Sequence, residues 1–175
     1  MRALKGMLFV FAGLFILVTL ISLLLPGRVV TTRAESMQGD SMKIFREISD
    51  LARWKDWQPV FMSDSAAISF SPVTDEQGSS AEWSSSGKKN KLIISEKKYP
   101  YVKILLKREG DNDLENILSV TPVQEQGNMQ VQWEAINHLK WYPWQKFGGI
   151  FIEKISGTGY EEALKSLHRF MNEHQ

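Results

Sequence analysis

The hydrophobic positions of this chain follow different periods in different segments, and the first segment is apolar throughout. Residues 7–25 are 19 consecutive positions without a charge, and Pro26 and Gly27 follow them. A helix of this length spans roughly 28 Å at about 1.5 Å per residue, close to the ~30 Å hydrocarbon thickness of a bilayer. We therefore predict a transmembrane anchor in residues 1–27 and one further domain in residues 28–175.

The alternative for this segment is a cleaved secretory signal. Such a signal has an apolar region of about 7–15 residues followed by small residues at the cleavage site. The run here is longer and ends in Leu-Pro-Gly-Arg, so we expect an uncleaved, single-pass anchor in the cell membrane. The amino terminus, Arg2 and Lys5 lie on one side of the run, and Arg28 and Arg33 lie on the other. The positive-inside rule then favours a cytoplasmic amino terminus and an extracytoplasmic domain.

The segment after the apolar run reads as a strand, a helix and an aromatic turn. The β-branched residues 29–32 predict a strand. Apolar residues at helical spacing over 44–51 predict a helix, for which Asp40 or Ser41 is the cap. Trp54 and Trp57 follow, and they could form either a cavity entrance or a structural corner that packs this helix onto a sheet.

From about residue 66 to residue 135 the hydrophobic period changes to two. Six short alternating runs separated by turn residues predict an antiparallel meander, which makes seven strands with the first one. The alternating residues are Ala66, Ile68, Phe70, Ala81, Trp83, Leu92, Ile94, Val102, Ile104, Leu106, Leu114, Leu118, Val120, Met129, Val131, Trp133 and Ala135.

After Asn137 the helical period returns. Trp144, Phe147, Ile150, Phe151 and Ile155 mark one predicted helix. The Ser-Gly-Thr-Gly sequence at 156–159 predicts a break, and a second helix follows from Tyr160. Its apolar stripe is wide enough to pack on the inner face of a sheet.

Charge and composition exclude several classes of function. Residues 26–175 contain 19 of the 21 basic residues and all 20 acidic residues, a formal net charge of −1. A near-neutral domain is unsuited to neutralising nucleic-acid phosphates, so we expect no nucleic-acid partner. The chain has no cysteine, which excludes disulfides, thiolate metal sites and a cysteine nucleophile.

Four local motifs, in this order, resemble the START-like, or SRPBCC, superfamily and its polyketide cyclase/dehydrase members. They are the helix with Trp-x-x-Trp-x-Pro at 44–59, Ala-Glu-Trp at 81–83, Val-Gln-Trp at 131–133 and Tyr-Glu-x-x-Leu-x-x-Leu at 160–167. The resemblance implies an α+β helix-grip fold, in which a curved antiparallel sheet of about seven strands grips a long carboxy-terminal helix.

The resemblance also implies a cavity between the sheet and the last helix that holds an apolar molecule. The residues expected to line it are Trp83, Ile94, Ile104, Leu118, Trp133, Tyr160, Leu164 and Leu167. The superfamily includes carriers, sensors and enzymes, so fold alone does not name a reaction.

The candidates for catalysis and metal binding are few. Glu96 shares parity with Leu92 and Ile94, and a carboxyl group in an apolar cavity would have a raised pKa suited to acid or base chemistry. It is only a weak catalytic candidate, because it lies near a strand end. The three histidines lack the spacing of metal ligands, so we expect neither a metal nor a cofactor.

These patterns support three hypotheses for function. The first is membrane-anchored binding of an apolar small molecule or lipid, with the bilayer as the other partner. The second is a polyketide cyclase- or dehydratase-like enzyme, which requires polar groups inside the cavity. The third is a structural or sensory accessory of another membrane protein, which a filled cavity and an exposed apolar patch would favour. The sequence leaves the oligomeric state open.

Overall fold

A computed structural model describes residues 2–63, 68–85, 87–123 and 127–174, with the backbone alone at residues 2–4, 153 and 155. The helices are α1 (Arg2–Leu23), α2 (Ser41–Ser49), α3 (Trp54–Trp57), α4 (Pro59–Ser63) and α5 (Pro143–Glu173), with a 3₁₀ turn at Leu51–Arg53. The strands are β1 (Arg28–Gln38), β2 (Ser69–Phe70), β3 (Ser80–Ser85), β4 (Lys88–Lys98), β5 (Tyr101–Arg108), β6 (Leu114–Pro122) and β7 (Asn128–His138).

The strands form one antiparallel sheet in the order β1-β7-β6-β5-β4-β3-β2. The predicted α+β class, with seven strands and a long carboxy-terminal helix, is confirmed. Alternation of apolar and polar residues places one face of the meander against the core, because successive side chains of a strand point to opposite faces. Ala66, predicted as part of the second strand, lies outside the described residues.

The register of the sheet gives it two distinct ends. One end, which we call the α1 end, is where β1 begins directly after α1 and the linker. The residues at the α1 end can be followed from strand to strand through their cross-strand partners. These pairs are Arg28 with His138, Asn137 with Leu114, Leu114 with Leu106, Arg108 with Asn90, and Lys88 with Ser85. The carboxy-terminal end of β1, at Gln38, lies at the opposite end of the sheet.

The segment between β1 and β2 is held by local hydrogen bonds. The Asp40 carboxylate caps α2 by accepting from the amides of Met42 at 2.7 Å and Lys43 at 3.0 Å, as predicted. The indole N–H of Trp54 donates to the Ile48 carbonyl at 3.1 Å, and that of Trp57 donates to the Glu47 carbonyl at 3.2 Å. Both rings are buried. The two tryptophans therefore form a structural corner that packs α2 onto the domain.

The predicted break in the carboxy-terminal helix is wrong, because α5 is continuous for 31 residues. A glycine inside a helix costs about 1 kcal/mol relative to alanine, a penalty that packing can outweigh. Gly149 and Gly157 lie where the helix comes closest to its surroundings, facing Leu139 and Arg33 respectively. Here glycine permits close packing instead of ending the helix.

The first helix stands apart from the core. Mean hydropathy over Lys5–Leu23 is 2.6, and only 6% of this window is buried in the protein. A helix of this length, apolarity and position is compatible with a membrane anchor or with a signal sequence.

Candidate functional site: a cavity under the last helix

A cavity of about 420 Å³ lies between the inner face of the sheet, the α3–α4 segment and α5. Its size is within the range of about 300–1,000 Å³ that is typical of small-molecule sites. Its lining consists of Trp54, Gln58, Val60, Phe61, Trp83, Ser85, Lys88, Asn90, Leu92, Leu106, Arg108, Asp111, Asn116, Trp133, Ser156, Gly159 and Tyr160.

Five aromatic side chains form part of the cavity wall. The centroids of Trp133 and Tyr160 lie 5.1 Å apart, and those of Trp54 and Trp133 lie 5.7 Å apart. Across the cavity, Phe61 and Trp83 are in contact with centroids 5.3 Å apart. These tilted arrangements are favourable for aromatic pairs and hold the rings in place.

The buried side-chain amide of Asn116 fixes the orientation of the Trp133 ring in the cavity wall. Asn116 is only 3% exposed, and its Oδ1 accepts a hydrogen bond from the Trp133 indole N–H at 3.0 Å. Its Nδ2 lies 3.4 Å from the carbonyl oxygens of Ile104 and Leu114. The indole is therefore satisfied on its polar edge and presents its apolar face to the cavity.

Polar groups concentrate toward the α1 end. Lys88 and Asp111 form an ion pair there with their charged atoms 3.8 Å apart, and Arg108 lies beside them in the lining. Further inside, burial raises the pKa of the Tyr160 phenol above its ordinary value of 10.0, while the Arg108 charge opposes this shift. Tyr160 is therefore a neutral phenol at physiological pH.

A second, smaller cavity of about 210 Å³ adjoins the first. The two share Arg108, Ser156 and Tyr160, and the smaller one is also lined by Asn137. Among the described residues, none donates a hydrogen bond to the buried Oδ1 of Asn137. A buried acceptor without a partner costs about 1–3 kcal/mol, so this atom favours a donor from water or a ligand.

The structure divides the eight predicted lining residues into two groups. Trp83, Trp133 and Tyr160 line the cavity. The other five are at most 1% exposed, pack in the core and are not part of the cavity lining: Ile94, Ile104, Leu118, Leu164 and Leu167. These five side chains belong to the packed core, where neighbouring side chains fill the space over the inner face of the sheet.

Glu96 lies outside the cavity lining. A β-bulge between Ile94 and Glu96 interrupts the alternation on which its predicted inward direction depended. Its Oε2 lies 2.8 Å from Lys103 Nζ, and its Oε1 accepts from the Tyr101 hydroxyl. These two hydrogen bonds lower the pKa of Glu96 below 4.5, the opposite of the shift that a buried general acid needs.

Sequence reasoning missed Arg108 and Asn116, although a signal was present. Arg108 continues the parity of Ile104 and Leu106, and Asn116 stands between Leu114 and Leu118 at the same parity. A polar residue in an inward position of an alternating strand is the signal that identifies such a site residue. Among the described residues, no group of three His, Asp or Glu side chains is arranged to hold a metal ion.

No protein-family model and no curated protein matches the sequence. Solved structures match its fold. A START superfamily protein from Mycobacterium smegmatis superposes with a TM-score of 0.61 at 13% identity, over 83% of this chain and 99% of that one. CalU16 from Micromonospora echinospora gives 0.53 at 16% identity, over 82% of each chain.

DynU16, a protein of the dynemicin biosynthetic locus, gives a TM-score of 0.57 at 9% identity over 82% of this chain. This chain spans about half of DynU16, 47% of its length. At such identities the comparisons establish the fold, which is the one the sequence motifs predicted. The chain has the START-like helix-grip fold, with an apolar helix added before its first strand.

Proposed function

We propose that this chain is a membrane-anchored protein that binds an apolar small molecule or lipid between its sheet and α5. The observation that carries the proposal is the aromatic cavity of about 420 Å³. A partly open cavity with aromatic rings in its wall and charged side chains at one end suits a ligand with an apolar body and one polar group.

The position of the cavity supports the membrane part of the proposal. Only residues 24–27 separate α1 from β1, a linker of at most ~14 Å when extended. The charged rim of the cavity, at Lys88 and Arg108, lies at the same end of the sheet. An anchored domain would thus hold its binding site within reach of molecules dissolved in the bilayer. The basic-residue distribution favours an extracytoplasmic domain.

The ligand class follows from the two ends of the site. Trp83, Trp133 and Phe61 would contact an apolar body, whereas Arg108 can pair with a carboxylate or phosphate at the rim. An amphiphile such as a fatty acid or phospholipid satisfies both requirements. The alternative of a cyclase- or dehydratase-like enzyme would draw its acid from the cavity lining, where Tyr160 and Asp111 are candidates, since Glu96 lies elsewhere.

The test is native mass spectrometry of the full chain extracted in mild detergent, with and without a deuterated C16 fatty acid or phosphatidylglycerol. Leu106→Trp would fill the cavity from its inner wall. Leu105→Trp is the matched control, because the adjacent residue faces the opposite side of the sheet.

We expect the unmodified chain and Leu105→Trp to carry an apolar ligand, and Leu106→Trp to lose at least about 90% of it, a penalty of about 1.4 kcal/mol or more. An unmodified chain that carries no ligand and takes up neither probe would overturn the proposal. Equal occupancy of the two variants would show that the ligand lies outside this cavity.

A further inference from the structure

The segment 141–151, which leads into α5 and forms its first turns, presents large apolar side chains to the outside of the domain. Trp141 and Trp144 are 61% and 65% exposed, and Ile150 and Phe151 are each 61% exposed. We call these four residues the aromatic patch. A soluble surface rarely gathers so many large apolar side chains in one place without a partner.

The aromatic patch lies on the outer side of a helix whose inner side is already packed. Gly149 lies against Leu139 and Val29, and Ser156 lines the cavity. Trp144 and Phe151 are seven residues apart, so they share one face of the helix across two turns. The patch therefore cannot be buried by tightening α5 against its own sheet.

The structure holds the aromatic patch in a defined position. Gln145 Oε1 accepts from the backbone amide of Lys140 at 2.8 Å and from Asn112 Nδ2 at 3.1 Å. The rings of Tyr142 and Trp144 are stacked with centroids 5.0 Å apart. These contacts preorganise the surface for binding.

The aromatic patch approaches the end of α1 through Ile150, which lines a small cavity together with Leu25 and Pro26. Lys146 Nζ donates to the Leu25 carbonyl at 3.1 Å, and the Leu139 amide donates to the Gly27 carbonyl at 2.8 Å. These two bonds tie the start of α5 to the linker that follows the apolar helix. Whatever surrounds the end of α1 is therefore close to Ile150 and to the start of α5, the segment that carries the rest of the patch.

We propose that the aromatic patch is a lipid-docking surface that rests in the interfacial layer of the bilayer crossed by α1. This proposal rests on the anchor in the proposed function and adds the orientation of the domain. Tryptophan is enriched at membrane interfaces, where its apolar ring and its N–H group are both accommodated. Lys140 and Lys154 flank the patch, and each basic residue near anionic headgroups contributes about 1 kcal/mol.

Docking of this kind turns the α1 end of the sheet toward the membrane. Arg108 and Lys88 lie at that end, so the rim of the cavity would face the headgroup layer. The aromatic patch would act as the second contact, after α1, that fixes how the domain sits. A ligand could then pass between the bilayer and the cavity over a short path.

The chain has no cysteine, so single cysteines can be spin-labelled without background. The variants Trp144→Cys and Phe151→Cys report on the aromatic patch. Met42→Cys is the matched control, because Met42 is 58% exposed and follows β1 at the opposite end of the sheet. Phe15→Cys, in the middle of α1, reports on the anchor itself.

Each labelled full chain is reconstituted in vesicles of phosphatidylcholine with phosphatidylglycerol. Power-saturation electron paramagnetic resonance then compares collisions with oxygen, which partitions into lipid, and with a water-soluble nickel chelate. We expect the oxygen-to-nickel ratio at positions 144 and 151 to exceed that at position 42 at least about threefold, with the highest ratio at position 15.

The remaining outcomes separate the two proposals. If position 15 is lipid-exposed but positions 144 and 151 resemble position 42, the docking surface is overturned and the anchor stands. If position 15 is in water, the anchor fails and docking fails with it. Shielding of positions 144 and 151 from both reagents, with spin–spin broadening between labels, would assign the aromatic patch to a second copy of the chain and also overturn lipid docking.

Discussion

At the scale of single residues, the tryptophans of this chain occupy two different environments. Trp54, Trp57 and Trp133 donate their indole N–H groups to acceptors within the domain, and all three rings are buried. Trp141 and Trp144 are largely exposed where the chain enters α5. The residue type is the same, so the difference comes from where each backbone position lies in the fold.

The raised pKa of Glu47 makes the stability of the domain depend on pH. It is 7% exposed, and burial raises the pKa of its carboxyl above 4.5 despite the nearby Arg53 guanidinium at 2.8 Å. The folded state therefore binds a proton more tightly than the unfolded state. The stability that this proton contributes is fully present below pH 4.5 and is lost as the pH rises through the raised pKa.

We expect the free energy of unfolding of the unmodified chain, minus that of Glu47→Gln, to decrease as the pH rises from about 4 to about 8. Urea unfolding of the full chain in a non-ionic detergent, followed by tryptophan fluorescence, measures this difference. A difference that stays constant or increases over this range would contradict the prediction.

Glu96→Gln is a control for which the expected pH dependence has the opposite sign. Hydrogen bonds from Lys103 and Tyr101 lower the pKa of Glu96, so its contribution is present above pH 4.5 and is lost as the pH falls through the lowered pKa. The free energy of unfolding of the unmodified chain, minus that of Glu96→Gln, should therefore increase with pH at the acidic end of the range.

Strand parity predicted the inward direction of Trp83 and Trp133 correctly, since alternation is a local property. Parity did not distinguish Ile94 or Leu118, which pack in the core, from residues that line the cavity. That distinction depends on whether side chains from α3 and α5 fill the space above each strand. No window of sequence contains this information.

At the scale of elements, the continuity of α5 depends on close approach at its glycines. A Cβ atom at Gly149 would overlap Leu139 Cδ1 and come within 3.3 Å of Val29 Cγ2, whereas a Cβ at Gly148 would meet nothing within 4 Å. The two adjacent glycines therefore have the same intrinsic helix propensity but different surroundings, so alanine substitutions at both positions can be compared directly.

We expect Gly148→Ala to raise the free energy of unfolding by up to about 1 kcal/mol, because alanine favours the helix. Gly149→Ala should instead lower it by about 1–3 kcal/mol, because Leu139 must move. Chemical unfolding in detergent compares the two variants. A gain at Gly149 as large as that at Gly148 would show that the close approach is not required.

At the scale of the whole molecule, the short linker couples the apolar helix to the cavity. A ten-residue Gly/Ser insertion between Pro26 and Gly27 would add up to ~33 Å of reach. We expect it to leave the unfolding transition of the domain unchanged. The proposed function predicts that uptake of a deuterated C16 fatty acid from vesicles becomes several-fold slower, because a longer tether would let the cavity rim spend less time near the bilayer.

Native mass spectrometry at successive times after mixing with loaded vesicles measures that uptake. A chain with a rigid Pro-rich insertion of equal length serves as the control, because it moves the domain away from the surface to a defined extent. Uptake at the original rate in both chains would show that the linker length does not matter for exchange.

Local periodicity and motifs a few residues long were enough to predict the apolar run, the order of strands and helices, and the START-like fold. The folded structure was needed to show that α5 continues through 156–159, that Glu96 lies outside the cavity lining, and that Arg108, whose parity points inward, reaches the rim of the cavity. It also brought Ile150 and the start of α5 close to the end of α1. Each of these features is set by packing between segments far apart in the chain, such as Lys146 against Leu25, which local patterns do not encode.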